Sequence, residues 1–201
     1  MQSSKNWQYV TIVTQMEPRN YWSKFSFLSD EERLENMSDK EPTFYPIRRI
    51  VVGHDKSGKS RVLSDGEATN HEYPGARRST LIWATKETPA NFLDTDDAGL
   101  WKINTPPPLG GSCFRIIESA PGATYPALHR TDTIDYVICL RGEITMDLDD
   151  STLVMRPGDV LIQLGTNHGW RNETDETACV AFVLIDGKPK NHPDLPASRM
   201  K

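Results

Sequence analysis

The sequence predicts an all-β fold, a sandwich or closed barrel of short strands. Three observations carry the prediction. Short apolar runs recur at near-regular spacing from Tyr45 onward, glycine, proline or aspartate separates them, and no long helical period interrupts them.

The elements follow in order. Ile47–Val52 and Ser60–Leu63 flank the polar turn His54-Asp-Lys-Ser-Gly58, which reads as a hairpin. Thr80–Thr85 is a further strand, followed by an irregular stretch over 87–108. Then come Ser112–Glu118, Asp135–Leu140, Glu143–Leu148, Thr152–Met155, Val160–Leu164 and Thr177–Ile185. Pro121-Gly122, Gly142, Asp149-Asp150, Pro157-Gly158 and the polar run from Asn172 to Asp175 punctuate them. Ile144, Met146 and Leu148 alternate with Thr145 and Asp147, so that segment buries one face and wets the other. Residues 45–188 are therefore the barrel and 189–201 a proline-containing tail. Residues 1–44 are polar and broken, with Trp7, Tyr21, Trp22, Phe25 and Phe27 as aromatic anchors. A short helix is expected there after Ser29, with Glu32 completing a capping box. That stretch reads as an arm on the barrel or on a partner subunit.

Composition narrows the function classes. The chain has 201 residues, 23 Lys and Arg against 28 Asp and Glu, and a formal net charge of −5. The scattered basic residues give no nucleic-acid groove. Apolar runs such as Val180–Ile185 are far too short for a membrane helix. Met1–Gln15 has no basic start followed by an apolar stretch, so no secretory leader is expected. Cys113, Cys139 and Cys179 are odd in number, far apart and set in apolar runs, as buried reduced thiols would be. These features predict a reducing, cytoplasmic setting.

Two segments concentrate the chemistry. One runs from Pro121-Gly122 through His129, Thr131 and Asp135 to Gly142. The other runs from Pro157-Gly158-Asp159 through Gly165 and His168 to Asn172. Strand parity puts His168, Trp170 and Asn172 on one face and pairs His129 with Thr131. The plainer reading of any single histidine is a core ring bonded to a backbone carbonyl. Several polar groups at matched offsets favour a shared pocket instead.

Over roughly residues 112–185 these segments resemble the two motifs of the cupin superfamily, and the wording around them is similar to small cupins of secondary-metabolite pathways. The resemblance implies a double-stranded β-helix, or jelly-roll barrel. It also implies that His129 and His168 stand at histidine positions, Asp135 at a glutamate position, and Gly142 and Asn172 at closing positions. The departures are specific. Thr131 replaces a histidine, Asp135 is one methylene short of glutamate, and Gln163 replaces a proline. The family's usual set of three histidines and a glutamate would hold Zn, Fe, Mn or Ni. Here His129, Asp135 and His168 are the candidate ligands that remain, an open two-imidazole, one-carboxylate set. The alternative is a site with no metal, in which the same three residues serve as general base, general acid and orienting group.

Arg115 is a candidate to bind a substrate carboxylate or stabilise an enolate through its paired donors. Thr131, Gln163 and Trp170 are candidate substrate-binding residues, and His71, expected in a loop, a candidate to close over the pocket mouth. His54 and His192 read as solvated. Lys56-Ser-Gly-Lys-Ser60 lacks the full spacing of a phosphate loop and reads as a turn.

The function the resemblance implies is that of a lyase or isomerase. It would dehydrate, decarboxylate or cyclise a polyketide-like or other oxygenated organic acid or ketone. An iron-dependent dioxygenase and a non-catalytic small-ligand binder are the alternatives. Pairing through barrel edges is common in the family, so a homodimer is expected, with the aromatic arm as a clasp.

Overall fold

The computed structural model describes residues 43–93, 96–125 and 127–189, all within one compact unit spanning Met37–Lys201. The expected arm, its short helix after Ser29 and almost all of the tail, His192 included, lie outside the described residues.

Eleven strands are described: β1 Arg48–His54, β2 Ser60–Glu67, β3 His71–Glu72, β4 Arg77–Thr85, β5 Ser112–Ser119, β6 Thr133–Arg141, β7 Ile144–Asp147, β8 Thr152–Met155, β9 Val160–Leu164, β10 Gly169–Arg171 and β11 Ala178–Asp186. One 3-10 turn, Ala98–Leu100, interrupts the irregular stretch. All strand pairings are antiparallel. β3-β4-β5-β11-β6-β9 form a six-stranded sheet, β10-β7-β8 a three-stranded one, and β1-β2 a separate hairpin.

The two larger sheets enclose the core. Leu81 from β4, Cys113 from β5, Val137 and Cys139 from β6 and Val180, Phe182 and Leu184 from β11 meet Ile144 of β7 and Met155 of β8. This is the double-sheet packing that period-2 strands reach when each covers the other's apolar face. All three cysteines are free and buried. No helix among the described residues is long and apolar enough to cross a membrane.

The turns follow from local chemistry. In the β1–β2 turn Asp55 accepts from the Ser57 amide and hydroxyl and the Lys59 amide, and Gly58 takes a left-handed φ of 80°. The glycine-lysine string is thus a hairpin turn, as expected. The hairpin is tied down where Arg49 makes a paired salt bridge to Asp97 at 2.5–2.6 Å. Gly142, closing the β6–β7 turn, has φ 68°, and a Cβ there would stand 2.9 Å from backbone atoms of Thr177 and Ala178. Only glycine accommodates both the dihedral and the close approach.

A buried ion network holds the opposite region of the large sheet. Glu118 on β5 is 1% exposed, accepts from Arg78 through two guanidinium nitrogens, and faces Arg141 at 3.3 Å. Its other oxygen accepts from the Tyr45 amide at 3.0 Å, and Arg78 also donates to the Tyr45 carbonyl. The segment leading into β1 is thereby anchored to the barrel.

Candidate active site

The two motif segments meet at a backbone bridge. The His129 amide donates to the His168 carbonyl and the His168 amide to the His129 carbonyl, both at 2.9 Å. Directly opposed residues in such a bridge put their side chains on the same face. The imidazoles accordingly pack together, ring centroids 4.3 Å apart. His168 is buried and His129 half-buried. Tyr125 covers the far side of His129 at 4.6 Å, with the Arg77 guanidinium over its ring, and Trp170 stands edge-on to His168 at 6.2 Å. Trp170 in turn packs edge-to-face on Phe182, which joins the site to the core.

Beneath the rings, β6 and β9 supply polar groups from strands that are apolar on their other face. Thr133, Asp135, Val137 and Cys139 alternate inward along β6. Register pairs Asp135 with Gln163 of β9, both buried. Gln163 Nε2 lies 3.1 Å from His168 Nδ1, and that nitrogen also lies 3.0 Å from the Thr166 carbonyl. The backbone-bonded core histidine weighed from sequence is therefore part of the truth. Nδ1–H donating to Thr166 leaves Nε2 with the lone pair, whereas accepting from the Gln163 amide moves the ring proton to Nε2. His168 thus has partners for both tautomers, which suits a group that takes a proton and returns it.

Burial sets the protonation states. It pushes the Asp135 carboxyl up to about 6, with the nearby Thr133 hydroxyl pulling the other way. One Asp135 oxygen, Oδ1, and the Gln163 Oε1 have no hydrogen-bond partner among the described residues. Burial lowers the pKa of His168, partly offset by the Thr166 carbonyl. The neutral ring and the partly protonated carboxyl are both consequences of dry surroundings.

The donor set was tested against the divalent metal that the resemblance implies. Among the described residues no three His, Cys, Asp or Glu side chains converge as a metal-ligand group. His129 and His168 meet, but Thr131, buried beside them in sequence, offers no imidazole, and what reaches His168 from the Asp135 position is the Gln163 amide. The residues present do not fit a three-ligand centre for Zn, Fe, Mn or Ni.

Other expected site residues have partners of their own. Arg115 faces inward from β5 but donates to the Ile103 and Asn104 carbonyls at 3.1 and 2.8 Å and to the Ser79 hydroxyl at 3.3 Å. It pins the 101–108 segment to the sheet. His71 is not in a loop; it lies in β3, at the sheet edge opposite β9, with Nδ1 2.9 Å from Thr80 Oγ1. The short two-residue pairing to β4 has no periodic pattern to announce it. Asn172 is a structural staple, donating to the Ser119, Ala120 and Glu176 carbonyls and accepting from Thr174. Tyr125 was missed from sequence because it sits in an irregular segment whose residues have no readable face.

Two antiparallel sheets around a shared core, with an inward histidine pair, define a double-sheet β-barrel. The Cupin domain family model matches residues 115–185. The chain is 33% identical to Phomopsin biosynthesis cluster protein C' of Diaporthe leptostromiformis, over 77% of this chain and 86% of that one. It is 35% identical to the cupin-domain-containing oxidoreductase fogC of Aspergillus ruber, over 70% and 72% of the two chains. With virC of Hypocrea virens, also named a cupin-domain-containing oxidoreductase, it shares 33% over 70% and 76%. This chain belongs to the cupin superfamily.

Proposed function

We propose that this protein is a secondary-metabolite enzyme whose paired imidazoles, His129 and His168, move a proton on an oxygenated, polyketide-like acid or ketone. The carrying observation is the contact of two histidine rings, one with hydrogen-bond partners for either tautomer. The family relatives named for biosynthesis clusters support a role in secondary metabolism.

For a β-hydroxy carbonyl substrate the step balances without a redox partner. The bare Nε2 of His168 removes a proton alpha to the carbonyl. The electron pair left behind forms the C=C bond as the β-hydroxyl departs. Protonated His129 delivers the proton that hydroxyl needs, and water is the second product. Asp135, partly protonated, hydrogen-bonds a substrate oxygen, and Tyr125 and Trp170 wall the site.

A second reading is oxidation, favoured by three relatives named cupin-domain-containing oxidoreductases. Turnover of a polyketide-like β-hydroxy ketone, followed by mass spectrometry in the presence of a chelator, separates the two. Loss of 18 mass units (one water), undiminished by chelator and reduced about 100-fold or more by His129→Ala, is expected. A product two hydrogens lighter, formed only with added iron and oxygen, establishes oxidation instead. Binding of that ketone without any turnover establishes a ligand carrier.

A further inference from the structure

Among the described residues, Arg49, Arg78, Arg115, Arg130, Arg141 and Arg171 are buried or half-buried, and each lies 3.7 Å or less from a carboxylate. Arg77 is half-buried as well, but no carboxylate or carbonyl among those residues accepts from it. Its neighbour is a ring: the guanidinium carbon stands 4.6 Å from the centre of Tyr125. Burial lowers the Arg77 pKa and only the Tyr125 phenol opposes it, so no acid is close enough to be felt.

Strand parity aims this cation. Arg77, Ser79 and Leu81 alternate along β4, and the register to β5 is unbroken between them. Leu81 belongs to the core and Ser79 accepts from the inward Arg115, so Arg77 shares the face that lines the barrel. Tyr125 is held beside β10 by its amide, which donates to the Trp170 carbonyl at 2.9 Å. The same Tyr125 ring lies 4.6 Å from the His129 ring. Cation and imidazole thus share one aromatic neighbour and stand at most twice that distance apart.

We propose that Arg77 is the carboxylate-binding residue of the site, so that the substrate is an oxygenated acid rather than a neutral ketone. What the bound acid then undergoes rests on the proton-transfer reading of His129 and His168. A ring face attracts a guanidinium but leaves its N–H donors without conventional acceptors. A carboxylate takes those donors in pairs, at about 2.8 Å, and supplies the counter-charge that a partly desolvated cation lacks. Carbons a few bonds further along the substrate then reach the His129 ring. The anchoring carboxylate is therefore a different group from the carbonyl that acidifies the proton His168 removes. Arg115, expected from sequence to bind such a group, is held by the Ile103 and Asn104 carbonyls instead.

Proton NMR titration of the full chain with levulinate, a short keto acid, and with its neutral methyl ester separates charge from shape. The acid should bind about 10–100-fold more tightly than the ester, as a charge-assisted pair predicts. Arg77→Gln and, independently, Arg77→Met should weaken the acid to the level of the ester and leave the ester unchanged. Arg77→Lys, a point charge without the planar fork, should keep part of the preference. Arg61→Gln, exposed on the β1–β2 hairpin, should change neither constant. Circular dichroism shows which variants are folded. Wild type that binds the acid no better than the ester, neither binding included, overturns the proposal. So does a folded Gln or Met variant that weakens both probes alike or neither. The proton-transfer reading fails separately: an acid preference that depends on Arg77, with no dehydration of the β-hydroxy ketone, sinks that reading and leaves the carboxylate site standing.

Discussion

His129 and His168 are joined twice, by reciprocal backbone hydrogen bonds at 2.9 Å and by ring packing at 4.3 Å. The backbone bridge holds the two rings in contact. Because burial depresses the pKa of His168, the unfolded chain binds more protons than the folded one as the pH drops below the ordinary histidine value of 6.5. Stability contributed by neutral His168 is therefore full above pH 6.5 and lost as the pH falls through the depressed folded value. Proton NMR titration should place the His168 midpoint below the ordinary histidine value of 6.5. His168→Gln should flatten the acid limb of the stability curve measured by urea unfolding.

Asp135 has the opposite sign. Its folded pKa, raised from 3.8 to about 6, means that the folded chain binds the extra proton. Stability falls as the pH rises from about 4 through 6 and stays reduced above it. Asp135→Asn should remove that slope and stabilise the protein by about 2–3 kcal/mol at pH 7, by the usual 1.36 kcal/mol per pKa unit. Urea unfolding at pH 4.5 and pH 7 checks it. An Asn variant less stable than wild type at pH 7 would mean that the carboxylate has a stabilising partner.

Glu118 should be far less tolerant. It is almost fully buried between Arg78 and Arg141 and holds the Tyr45 amide. Glu118→Ala leaves a buried guanidinium with no counter-charge, so a loss of about 3–5 kcal/mol is expected, with earlier exchange of the Tyr45 amide. A loss below about 1 kcal/mol would show that water replaces the carboxylate there.

Gly142→Ala tests the β6–β7 turn. The left-handed backbone costs about 1–2 kcal/mol for any L side chain, and the new methyl would press on the Thr177 and Ala178 backbone. A total loss of about 2–4 kcal/mol is expected from thermal unfolding. Gly158→Ala has the same sign of φ with nothing near its added Cβ, so it should cost only the backbone portion.

Much of the barrel was legible because strands with one buried face write a two-residue period into the chain. Thr152–Met155 and Val160–Leu164 were read to their observed bounds, and seven other expected strands differ from the observed ones by a few residues. β3 and β10 were not read, since two or three residues are too few to display a period. The resemblance likewise located His129, Asp135 and His168, because offsets within a motif survive without knowledge of the third dimension.

Sequence by itself thus determined the all-β class, the superfamily motifs and the loss of one histidine at Thr131. Tertiary structure alone decided which polar groups touch. It brought the His129 and His168 rings together, inserted Gln163 beside His168, spent Arg115 on loop carbonyls and sent His71 to the far sheet edge. It also turned an apolar face of β6 and β9 outward. Periodicity says that alternate residues share a face, but which face lies against the core depends on where the second sheet packs. That choice belongs to contacts between residues far apart in the chain, and no local pattern records it.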